Sequence, residues 1–140
     1  MKPPLTVAKA PCISCPYRLD VPSGVWAASE YDKLPAYDAP PVVQVTNGAL
    51  ARFDCHQQNG KLCAGWVGCH GADNLMALRV AGFSREIAEE VWAYESPVPL
   101  FLSGAEAAAH GKRQIDRPGR AARAMIGRLK NKLKGKIHDG

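Results

Sequence analysis

Five cysteines, in two short groups, are the residues of this 140-residue chain most able to do chemistry. The first group is Cys12-Ile-Ser-Cys15, followed at once by Pro16. The second is Cys55-His56, Cys63-Ala-Gly-Trp66 and Cys69-His70. Two thiols separated by two residues can aim at one metal ion, yet they are poorly spaced to bridge a fold as a disulfide. The second group supplies the remaining ligands from elsewhere in the chain. Four thiolates are the complement for structural zinc or for a cubane iron–sulfur cluster. The preferred set is Cys12, Cys15, Cys55 and Cys63, with Cys69 as the substitute for Cys55 or Cys63. Structural zinc favours two short knuckles, whereas here the second pairs are spaced more widely. Proline directly after a ligand cysteine also occurs in bacterial ferredoxin runs. The expectation is therefore one metal centre, leaning toward [4Fe-4S] over zinc. Neighbouring residues project in different directions, so His56 and His70 read as surface or supporting groups. The competing reading pairs a cysteine nucleophile with one of them.

A disulfide framework needs an oxidising compartment. The start, Met1-Lys-Pro-Pro-Leu-Thr-Val-Ala-Lys-Ala, lacks the apolar run of a secretory signal, and five thiols leave one unpaired. No apolar stretch reaches the length of a membrane span. A cytoplasmic protein with no membrane association is expected. Gly-x-x-x-x-Gly-Lys-Ser/Thr, Gly-x-Ser-x-Gly and His-Glu-x-x-His are all missing, which removes the commonest phosphate-loop, hydrolase-elbow and zinc-protease readings. Trp26 and Trp66 read as shields that keep water from the metal.

The stretches Pro11-Cys-Ile-Ser-Cys-Pro-Tyr-Arg-Leu-Asp-Val-Pro-Ser-Gly-Val-Trp26 and Cys55-His56 through Cys63-Ala-Gly-Trp66 resemble an uncharacterised family of small cysteine-rich proteins from actinobacteria and their phages. A weaker similarity is to the WhiB-like iron–sulfur regulators, which carry a Cys-x-x-Cys pair, a Gly-Val/Ile-Trp turn and a basic DNA-binding end. Cys12 and Cys15 match the pair and Gly24-Val25-Trp26 the turn. Ala27-Ala28 stands where that group has two glycines, and the other cysteines lie after the turn instead of around the pair.

The elements that must position these groups are short. Eight prolines punctuate the first 54 residues. Ser29 to Leu34 is predicted as a helix capped by Ser29. Val42-Val-Gln-Val45 and Ala49 to Phe53 are predicted as a hairpin about the Asn47-Gly48 turn, delivering Cys55 at its exit. Asp73 is predicted to cap a helix to Ala81, and Ser84 a second with Ile87, Val91 and Tyr94 on its buried face. Leu100-Phe-Leu102 reads as a strand or packing plug, and Ser103 opens an Ala-rich helix closed by Gly111. The fold class is α+β: a small, loop-rich, metal-stapled domain over 1–111, with a basic tail over 112–140.

Charge divides the same way. Residues 1–111 carry eight Lys/Arg against eleven Asp/Glu, whereas 112–140 carry ten against two. Capped by Asp116 with Pro118 in its first turn, the tail is predicted as a cationic amphipathic helix. Its apolar stripe is Ala122, Met125 or Ile126, Leu129 and Leu133. Arg120, Arg123, Arg128, Lys130, Lys132 and Lys134 stand between as candidate nucleic-acid contacts. The functional expectation is a small metal-binding regulator or nucleic-acid-associated protein. The alternatives are a metal-dependent or thiol redox enzyme, and a phage protein whose tail meets an acidic host protein surface.

Overall fold

Proline keeps the elements of the first third short. The chain is described here by a computed structural model covering residues 6–55 and 60–139, the stretch 132–139 by backbone alone. It is an α+β fold with a minimal sheet. Strand β1 (Thr6–Val7) runs parallel to β2 (Lys61–Leu62), with Thr6 opposite Lys61 and Val7 opposite Leu62. On the other edge of β2, the Cys55 N–H donates to Lys61 O at 2.9 Å and the Cys63 N–H to Phe53 O at 2.8 Å. The chain thus doubles back between residues 53 and 63.

The predicted hairpin over 42–53 is not formed. Those valines lie in helix α2 (Pro41–Thr46), which follows α1 (Ala28–Asp32) and a 3-10 turn at Pro35–Asp38. Pro40 is extended and Pro41 occupies the first helical position, where its missing N–H costs nothing. The fully buried Gln44 then fixes the helix. Its amide nitrogen reaches the carbonyls of Tyr37, Ala39 and Asn74, and its oxygen accepts from the Met76 N–H. Tertiary hydrogen bonding has overridden the β preference of the valines. Helix α1 is also corrected: it begins at Ala28 after Ala27, and no side chain caps it.

Helix α3 (Ala64–His70) follows β2. Asp73 does not cap a long helix. A 3-10 turn at Ala72–Asn74 and α4 (Met76–Arg79) are separated by extended Leu75, and the Asp73 carboxylate accepts from the Trp92 indole. Ser84 caps α5 (Arg85–Ala93) by accepting from the Ile87 N–H, and Ser103 caps α6 (Gly104–Lys112) from that of Glu106. Both caps follow the sequence reading. Helix α6 continues through Gly111 instead of stopping there, and a Cβ at that position would strike the ring of Tyr31. Helix α7 (Arg120–Asp139) begins after Gly119, later than Asp116 and Pro118 implied.

The core gathers Tyr17, Tyr31, Leu34, Leu62, Trp66, Leu75 and Leu78, all fully buried. A smaller cluster, Val21, Val25 and Ala122, seats α7, with Met125, Ile126 and Leu129 half-buried against it. Among the described residues no helix is long and apolar enough to cross a membrane.

Candidate metal centre

Three segments bring four thiols together. The Cys12–Cys15 loop closes with the Cys15 N–H donating to Cys12 O at 3.0 Å. Leu100 then bridges Arg18, and the Phe101 N–H donates to Tyr17 O at 2.9 Å, holding the exit of the loop against the body. The doubling-back of residues 53–63 delivers Cys55 and Cys63 from the opposite side. Cys15, Cys55 and Cys63 are buried and Cys12 is half-buried; none is in a disulfide.

The thiols stand as two pairs. Cys15 Sγ lies 3.8 Å from Cys63 Sγ, and Cys12 is hydrogen-bonded to Cys55. Cys12 is held far above the usual thiol range, first by donating to Cys55 and then by burial. Cys63 is raised by donating to Cys15 and by burial, while Cys15 is lowered chiefly by accepting that bond. Each pair also feels the other: charge on Cys55 raises Cys15, and charge on Cys12 raises Cys63. Two backbone N–H groups face the sulfurs, Tyr17 toward Cys15 and Trp66 toward Cys63, and both favour the thiolate. The Arg18 guanidinium, anchored by Asp20 and Pro11 O, adds positive potential at Cys15.

Gly65 belongs to this geometry. A Cβ there would collide with Cys15 Sγ and lie 2.9 Å from the Tyr17 Cβ. The glycines around Trp66 are therefore not all turn formers: Gly65 and Gly68 sit inside α3 where neighbours leave no room, and only Gly71 has the positive φ of a turn. Trp66 is wholly buried, with its indole N–H lacking a hydrogen-bond partner among the described residues.

Among the described residues, no three His, Cys, Asp or Glu side chains stand as a group able to hold a metal ion. Cys15 Sγ and Cys63 Sγ, at 3.8 Å, are two thiols in hydrogen-bonding contact. Thiolates about 2.3 Å from zinc lie about 3.8 Å apart along a tetrahedral edge. A cubane binds its four thiolates through four separate irons, which spreads them more widely.

Cys69 and His70 lie apart from these pairs, in the wall of a cavity of about 500 Å³ with Tyr37, Asp38, Pro41 and Ser103. Burial lowers His70 to about 4 despite Asp38, whose carboxylate is 3.5 Å from Nδ1; Tyr17 Oη is 3.0 Å from Nε2. Burial, then the negative charge of Asp38, pushes Cys69 up to about 12. Sequence reasoning missed Tyr17 and Asp38; only the placing of Tyr17 two residues after Cys15 hinted at the former. His56 lies outside the described residues.

On α7, Arg120, Arg123, Arg128 and Lys130 are exposed and make no ion pair among the described residues. The 3.6-residue period places them on one side and Ala122, Met125, Ile126 and Leu129 on the other. Lys132 and Lys134 lie on α7 by its backbone.

Residues 7–132 match a family of unknown function (DUF6283), and the chain belongs to that family. Neither a curated protein nor a solved structure matches it.

Proposed function

We propose that this DUF6283 member is a zinc-stapled scaffold that presents a basic helix to nucleic acid. Cys12, Cys15, Cys55 and Cys63 would hold the ion, which would supply a cross-link between the N-terminal loop and the middle of the chain. The 3.8 Å approach of Cys15 and Cys63 supports zinc over the iron–sulfur centre favoured by sequence. Cys69 is left out of the set because it faces the cavity with Asp38 and His70.

The observation that carries the binding role is the two-sidedness of α7. Its apolar side is used up against Val21 and Val25, so the helix is fixed to the body. Its basic side is left with exposed cations that no ion pair among the described residues neutralises. Such a face exchanges condensed counterions for phosphates with little regard for base sequence.

Metal analysis of the purified chain and duplex DNA binding at low salt test both halves. One zinc per chain, lost in Cys15→Ser and Cys63→Ser, is expected. Arg120→Glu with Arg123→Glu should abolish DNA binding while leaving zinc in place. Iron with acid-labile sulfide would overturn the zinc assignment. A wild-type chain that ignores DNA and RNA at low salt would overturn the binding role and favour an acidic protein surface.

A further inference from the structure

We propose that Trp26 couples the cysteine loop to the seat of α7, so that metal loading controls how firmly the basic helix is held. This inference rests on the zinc reading above. Trp26 is the one residue, among those described, packed against both apolar clusters: the main core around the thiols and the small one that Ala122 of α7 fills. Its indole N–H donates to Ser14 O at 2.7 Å, inside the span from Cys12 to Cys15. Ser14 itself is fully buried, and its hydroxyl lies 3.7 Å from Cys12 Sγ. Val21 and Val25, the other two walls of the seat, lie on the segment that leaves Cys15 through Tyr17 and Arg18. The floor of α7 is thus an extension of the metal loop.

The consequence follows from what each part needs. Without an ion, the loop that carries Cys12 and Cys15 loses its cross-link to Cys55 and Cys63, and the Ser14 carbonyl that orients Trp26 loses its fixed position. Helix α7 is then left with a loosened seat. With Gly127 inside it and many like charges along it, the helix is a poor candidate for standing alone. It frays, and the ordering it must regain on the polyanion weakens binding. Coupling of this sort is reciprocal: whatever loosens α7 weakens zinc retention by the same factor.

The test is amide hydrogen exchange of the full chain over residues 120–131, with zinc content and duplex DNA affinity measured on the same samples. Zinc removal by a chelator should speed exchange in α7 and weaken DNA binding about tenfold. Trp26→Phe keeps most of the ring but removes the N–H. It should still take up zinc when zinc is in excess, with lowered affinity, yet show fast α7 exchange with the ion present. Leu129→Ala works from the helix side and should lower zinc affinity in chelator competition. Full protection of α7 in Trp26→Phe, or in a zinc-stripped wild type whose α3 has opened, overturns the coupling. If Trp26→Phe folds poorly, Leu129→Ala decides alone, and unchanged zinc affinity overturns it. A wild type that never held zinc shows this in the metal count, which fails the zinc reading and its metal control together. Unchanged α7 exchange in Trp26→Phe would then fail the Trp26 link as well.

Discussion

A methyl group at position 65 would occupy the space that Cys15 Sγ fills, although Gly65 ligates nothing. Gly65→Ala therefore tests whether the four sulfurs act as one group. Helix propensity alone would gain about 1 kcal/mol from this change. We expect the collision to dominate, with zinc content falling and the melting temperature dropping, as read by metal analysis and calorimetry. His70 makes a second test. Its folded pKa of about 4 lies below the unfolded value near 6.5, so the unfolded chain binds the proton first. The stability it contributes is complete above pH 6.5 and is lost progressively as pH falls toward 4. The 2.5-unit gap bounds the loss at about 3 kcal/mol. His70→Asn should flatten urea-midpoint curves across that window, with zinc content followed in parallel because acid also releases thiolate-bound metal. The Cys12–Cys15 spacing is visible along the chain, whereas the contact of Cys15 with Cys63 is made across 48 residues and depends on the fold. Asp38 was not legible, because its approach to His70 depends on where α6 and the turn at Pro35–Asp38 meet.

Elements were legible where their signals are local and illegible where distant atoms decide. Ser84 and Ser103 each satisfy an N–H three residues ahead, so the cap and its helix start are visible in the sequence. The α2 segment carries the opposite lesson, since the partners of Gln44 include Asn74 and Met76, 30 and 32 residues further along the chain. Helix α7 was legible as amphipathic, and its apolar face is the one packed against Val21 and Val25. Four exposed cations meeting phosphates predict a slope near −3.6 in a plot of log affinity against log salt for duplex DNA. Arg128→Gln should make that slope shallower by about 0.9 without changing sequence preference. A steep sequence preference, or a slope that stays unchanged, would remove Arg128 from the contact face.

Across the whole molecule, the N-terminal loop is held by parts of the chain that come much later. Thr6 bonds Glu90, the Tyr94 hydroxyl donates to Lys9 O, and Ser23 bonds Gly111 O and the Gln114 N–H. These pairings are 84 to 91 residues apart. Closing such loops is the slow step of small-domain folding, because their entropy is lost before their contacts form. On a ribosome, the segment bearing Cys12 and Cys15 therefore emerges well before the parts that hold it and is completed late. Its thiols wait for Cys63, 48 residues beyond Cys15, and the loop around them waits for the later partners; during that interval the thiols are open to oxidants and to stray metal ions. The nascent chain is thus the vulnerable form, and added reductant during synthesis should raise the fraction that reaches the folded state.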